Sequence, residues 1–111
     1  MATLRIGDQE LPVDKEGYLQ DLSAWNQDVA TAIARSEGIQ LEQNHWEIIT
    51  LIQQFHSEFE HSPAMRILVK YVKQHLGEDK GNSIYLMQLF PGSPAKLAAK
   101  IAGLPRPTNC L

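Results

Sequence analysis

The chain has a single thiol, Cys110, next to last in 103-GLPRPTNCL-111. One thiol excludes an internal disulfide and a multi-cysteine zinc site, and it fits a reducing compartment. Long apolar runs are missing too. Stretches such as 101-IAGL-104 and 67-ILV-69 fall far short of the roughly 20 residues a membrane-crossing helix needs. The opening 1-MATLRIGDQELPVD-14 has no apolar signal core and turns acidic at once, so a cytoplasmic protein with no membrane association is expected. A phosphate-cradling glycine loop is also lacking: 77-GEDKGNS-83 has the wrong spacing and carries two acids that would repel phosphate. Neither a cofactor nor a metal is expected. His56 and His61, with Glu58 and Glu60 between them, match neither the i, i+4 helical histidine pair nor a Cys/His zinc arrangement.

What is present is the composition of a folded domain, 43% hydrophobic and 21% charged over 111 residues. That length holds one core, so residues 1–111 are expected to form a single domain, with 103–111 as a flexible appended arm. The net charge of -3 conceals an asymmetry. Through His61, three basic residues face eleven acidic ones, whereas from Ser62 onward seven basic residues face two acidic ones. The basic half offers Lys96, Lys100 and Arg106 as a candidate contact surface for an anionic partner.

The periodicity predicts an α+β chain: a small antiparallel sheet followed by about five helices, then an extended C-terminal arm. Apolar residues alternate in 4-LRI-6 and 11-LPV-13 around a 7-GD-8 turn, and 17-GYL-19 is a candidate third strand. Ser23 is the expected cap of a helix to about Arg35, with Trp25, Val29 and Ile33 on one face and Gly38 stopping it. A second helix spans Gln43 to Phe59, with Trp46, Ile49, Ile52, Phe55 and Phe59 along one apolar stripe. In 62-SPAMRILVKYVKQHLG-77, Ser62 reads as the N-cap, Pro63 as the first helical residue and Gly77 as the stop. Asn82 or Ser83 opens a short helix to Leu89, and Ser93 with Pro94 opens another ending at Gly103. Beyond Gly103, Pro105 and Pro107 deny the donors a helix needs, so the tail is expected to be extended and exposed.

Two readings of the basic half compete. The helices within 62–90 form a possible helix-turn-helix DNA-binding module, yet the would-be recognition helix 83-SIYLMQLF-90 has no arginine or lysine to read base edges. Nucleophilic catalysis by a Cys/His pair needs rigid supports that a mobile arm does not give. Exposed thiols oxidise and cross-link, so a lone cysteine at the tip of an arm points instead to a thiol that must reach another molecule.

The stretch 80-KGNSIYLMQLFPGSPAKLAAKIAGLPRPTNCL-111, with 62-SPAMRILVK-70 and 45-HWEII-49, resembles the DsrC/TusE family, nearest its TusE branch. The resemblance runs from 16-EGYL-19 to the end, and IAGLPRP followed by a penultimate cysteine is its most specific part. It implies a sulfur-carrier protein in which Cys110 accepts persulfide sulfur from a TusBCD-like donor complex. The sulfur then passes to an MnmA-like tRNA thiolase, for 2-thiolation of the tRNA wobble uridine. Such a carrier is a sulfurtransferase-type intermediate and not a stand-alone enzyme. DsrC-like relatives, partners of dissimilatory sulfite reductase, have a second cysteine eleven residues before the penultimate one. Ala99 stands at that position here, which disfavours the sulfite-reductase role.

Overall fold

The structure is a computed structural model and describes residues 2–107. Strands β1 (Thr3–Ile6) and β2 (Gln9–Pro12) pair antiparallel, Thr3 opposite Pro12 and Ile6 opposite Gln9. Alternation puts Leu4, Ile6 and Leu11 against the core, while Arg5 and Glu10 pair on the solvent side at 3.2 Å. The expected third strand is reduced to one bridge, Val13 to Leu19. Asp14 is the reason: its carboxylate accepts from the N–H groups of Glu16 (2.8 Å) and Tyr18 (3.0 Å), which closes a turn before a ladder can extend.

The single helix expected to start at Ser23 is instead two pieces. Asp21 caps a 3₁₀ turn over Leu22–Ala24, accepting from the Ser23 N–H at 3.0 Å and occupying its hydroxyl at 2.6 Å. Trp25 is extended (φ -72°, ψ 140°), and Asn26 then caps α1 (Gln27–Ser36) through the Val29 N–H at 2.9 Å. The break falls at Trp25 because its indole N–H donates to the Ile101 carbonyl at 2.9 Å, a tertiary bond that helical backbone there would not offer. At the other end Gly38 sits at φ +74°; its N–H meets the Arg35 carbonyl and that of Ile39 meets the Ala34 carbonyl, a Schellman closure.

Helix α2 (Gln43–Phe59) opens with the Glu42 N–H donating to His45 Nδ1 at 3.0 Å. That bond places the ring proton on Nε2, which donates to the Leu89 carbonyl at 2.9 Å. The buried residues of α2 are His45, Ile48, Ile49, Leu51, Ile52 and Phe55; Trp46 is only partly covered and Phe59 is 50% exposed. Helix α3 (Met65–Leu76) starts two residues later than the Ser62 cap implies, with Ala64 at the N-cap position, because Ser62 is buried and engaged elsewhere. Gly77 ends α3 as expected. Asn82, not Ser83, caps α4 (Ser83–Leu89), accepting from the Tyr85 N–H at 2.8 Å. Helix α5 (Pro94–Ile101) has Pro94 at its first position.

The small faces of α5 decide the packing. Ala98, Ala99 and Ile101 have no exposed surface, and α5 touches α1, α2, α3 and α4, so the last helix occupies the centre of the core. Burying the Ile101 side chain alone contributes about 1.5–3 kcal/mol. The charge asymmetry is used inside the fold: Lys80 meets Glu47 at 2.7 Å, Lys100 meets Glu37 at 2.6 Å, and Arg106 meets Glu16, each joining the basic half to the acidic one.

Candidate functional site: the seat of the cysteine arm

Cys110 lies outside the described residues, as do Thr108, Asn109 and Leu111. What the structure describes is the seat from which they emerge. The expected exposure of the tail is not what is found among its described residues: Gly103, Leu104 and Pro107 are buried, and Pro105 and Arg106 are exposed. The reason is a second Schellman closure. Gly103 adopts φ +76°, its N–H bonds the Lys100 carbonyl at 3.1 Å, and the Leu104 N–H reaches the Ala99 carbonyl at 2.9 Å. That reversal turns Leu104 back onto the core, the apolar contact that usually accompanies the motif.

Four side chains from four places in the chain then donate to carbonyls of α5 and the segment that follows it. Tyr18 Oη bonds the Lys96 carbonyl (3.2 Å), Trp25 Nε1 that of Ile101 (2.9 Å), Gln53 Nε2 that of Ala102 (2.9 Å) and Ser62 Oγ that of Pro105 (2.5 Å). The last carbonyls of a helix have no partner within it, and here Trp25 and Gln53 supply two of the missing donors.

Lys96, Lys100 and Arg106 converge on three consecutive residues, 16-EGY-18. Arg106 Nη1 bonds both carboxylate oxygens of Glu16, the one to Oε2 at 2.9 Å. Lys100 runs along Gly17, where an added Cβ would come within 2.7 Å of its Cε; its ammonium lies 5.9 Å from the Tyr18 ring centre and pairs with Glu37. Two of the three cations are therefore engaged within the chain, and the Lys96 ammonium has no ion pair among the described residues. Ser62, Gln53, Trp25, Glu16 and Tyr18 carry no local signal of this role. Ser62 in particular looks like a helix cap in 62-SPAM-65.

Other candidate chemistry is thin. Among the described residues no group of three or more His, Asp or Glu side chains is placed to hold a metal ion, and no helix is long and apolar enough to cross a membrane. The cleft of ≈ 490 Å³ between α1 and α2 has Arg35 as the only ionisable residue in its lining. On α4, the element assigned to base reading in a helix-turn-helix, the residues facing solvent include Ile84 and Met87, 72% and 44% exposed.

Comparison with known proteins places these features in a family. A family model described as "DsrC like protein" matches residues 5–111. The chain is 51% identical over 108 residues to "Sulfurtransferase TusE homolog" of Haemophilus influenzae, covering 97% of this chain and 99% of that protein. It is 50% identical over 103 residues to "Sulfurtransferase TusE" of Escherichia coli, covering 93% and 94%. Among solved structures it is similar to Allochromatium vinosum DsrC, with a TM-score of 0.88, 42% identity, and coverage of 98% of this chain and 97% of that one.

Proposed function

The chain belongs to the DsrC-like family, and from that premise we propose that it is a sulfur carrier in tRNA thiolation, with Cys110 as the persulfide-bearing residue. The observation that carries the reading is the extent of the family match, which continues through the seat described above to residue 111 and so includes the cysteine. A TusBCD-like complex is the proposed donor and an MnmA-like tRNA thiolase the acceptor.

The chemistry is thiol–persulfide exchange. The Cys110 thiolate attacks the outer sulfur of a donor persulfide, the donor S–S bond breaks, and the donor thiolate leaves with the electron pair. Cys110 then carries the outer sulfur, and an acceptor thiolate takes it in a second exchange of the same form. Oxidant and reductant are not consumed. A thiol of ordinary pKa, about 8.5, is only a few per cent thiolate at neutral pH, so activation falls to the partner's pocket.

Reach is set by the seat. With Pro107 buried, Cys110 extends at most about 10 Å beyond it, at about 3.3 Å per residue, in place of the roughly 23 Å it would have on a tail free from Gly103. A partner must therefore come up to the body at the arm's root. Lys96, Lys100 and Arg106 serve in this reading first as arm holders: Lys100 and Arg106 through their carboxylate partners, Lys96 through its carbonyl.

The runner-up, a DsrC-type partner of sulfite reductase, requires an internal sulfur partner for the arm in the form the resemblance implies. Ala99 puts a methyl group with no exposed surface at that position, which supports the single-cysteine relay instead. The test is intact-mass measurement after incubation with a cysteine desulfurase, cysteine and the donor complex. One added sulfur atom on the native chain and none on Cys110→Ser is expected; equal addition to both would refute the assignment.

A further inference from the structure

Where α2 ends against α3, the surface is apolar beyond what folding requires. A groove of ≈ 330 Å³ runs between the helices, with Phe55, Phe59, Ile67 and Tyr71 among its lining residues. Its rings form a connected series: Phe55 lies 4.6 Å from Phe59 and 5.2 Å from Tyr71, and Tyr71 lies 4.3 Å from His75. Phe55 and Tyr71 are buried and make the floor, but Phe59 and Ile67 stand 50% and 46% exposed on the two walls. Apolar side chains exposed together in one groove mark an interaction surface, whereas singly exposed ones need no explanation. Glu60 ends α2 beside Phe59 as a left-handed C-cap at φ +62°, its N–H bonding the His56 carbonyl at 2.8 Å.

The geometry points to this groove as the docking site for an amphipathic helix of a relay partner protein, one that seats apolar side chains against Phe59 and Ile67 and sets a carboxylate on Lys70. The charge argument for that occupant is specific. Lys70 lines the groove and Arg66 lies one helical turn earlier; neither has an ion pair among the described residues, whereas Lys73, Lys80, Lys100 and Arg106 do. A nucleic-acid strand fits worse: its phosphates repeat along the strand, whereas the lining offers one lysine, Lys70, beside a Glu58 carboxylate already accepting from Tyr71 Oη at 3.1 Å, and a protein helix need bring only one carboxylate to that lysine. An apolar stripe at i, i+3 and i+4 is the usual occupant of a groove between two helices.

Position ties the groove to the arm. Ser62 is three residues past Phe59, at most about 10 Å away along the chain. Its hydroxyl holds the Pro105 carbonyl, and Cys110 lies at most about 17 Å beyond Pro105. A helix docked here brings its own protein alongside the place where the cysteine emerges. This inference rests on the carrier reading, since it assumes that a relay partner docks.

The test measures the affinity of the purified chain for the persulfide-donor complex, for the tRNA thiolase and for tRNA alone, in Ile67→Asp, Lys70→Glu and Lys70→Arg variants whose folding is checked by circular dichroism. Ile67→Asp and Lys70→Glu should weaken binding to at least one of the two proteins by about tenfold or more, as expected for central anchors, while Lys70→Arg retains it. Loading of Cys110 with sodium polysulfide, which needs no docking, should be unchanged in all three. Native affinity for both proteins in Ile67→Asp and Lys70→Glu overturns the groove, as does a loss confined to tRNA binding. If Cys110 cannot be loaded by polysulfide or by the donor complex while the variants still lose affinity, the carrier reading fails and the groove stands.

Discussion

Gly38 and Gly103 offer a matched pair of perturbations, since each follows a helix in a Schellman closure at nearly the same φ, +74° and +76°. They differ in surroundings. A Cβ at Gly38 would meet nothing within 4 Å, whereas one at Gly103 would fall 2.4 Å from Trp25 Cδ1 and 2.7 Å from its Cγ. Gly38→Ala should therefore cost only the left-handed penalty, about 1–2 kcal/mol. Gly103→Ala carries that penalty and adds overpacking against an indole already fixed by its bond to Ile101, a further 1–3 kcal/mol or so. Urea denaturation of both variants measures the difference, read as a midpoint shift at unchanged slope. Equal losses in the two variants, within about 0.5 kcal/mol, would refute the reasoning, because they would mean that the Trp25 contact yields freely and does not fix the arm's departure point.

Removing the Ser62 hydroxyl leaves the Pro105 carbonyl without its donor; Ser62→Ala should cost about 1 kcal/mol and speed amide exchange at Leu104 and Arg106, read by NMR. Glu16→Gln breaks an ion pair whose side chains are 45% and 47% exposed, so global stability should fall by less than about 1 kcal/mol. Protease sensitivity beyond Leu104 should nevertheless rise, an effect that added salt would mimic in the native protein; unchanged sensitivity would show that Arg106 does not hold the arm. At alkaline pH, the Glu47 carboxylate bonded to Lys80 raises that ammonium above its ordinary 10.5, and burial followed by the Glu58 bond raises Tyr71 above 10.0. For both groups the protonated form is the one the fold favours, so their contribution is complete below about pH 10 and is lost as pH rises through the raised values. A urea midpoint followed from pH 9 to pH 11.5 should fall, and Glu47→Gln should remove the Lys80 share of that fall.

The features legible in the sequence are those whose chemistry is local. Asn82, Gly38, Gly77, the Ser93–Pro94 pair and the hairpin turn act on backbone within a few residues, so spacing alone exposes them. Ser62 and Trp25 are not legible, for the opposite reason. Their hydrogen-bond partners lie 43 and 76 residues away, and a serine before Pro-Ala looks like a helix cap until its hydroxyl is seen on Pro105. The same holds for the arm. Two prolines do keep 104–107 out of helix, but burial of Leu104 and Pro107 depends on a surface assembled by other elements. The charge asymmetry was visible, while the direction in which it acts was not: Arg106 finds its carboxylate 90 residues upstream. The cysteine is legible by its rarity and by family likeness.

The four donors that hold the α5–arm segment, at positions 18, 25, 53 and 62, all precede their acceptors at 96, 101, 102 and 105. Synthesis runs in that same direction, so a nascent chain has its hairpin, α1, α2 and α3 outside the ribosome while the helix that fills their common centre is still in the tunnel. The donors are therefore made before the segment they hold, and a chain cut short before residue 96 has all four donors and none of their acceptors.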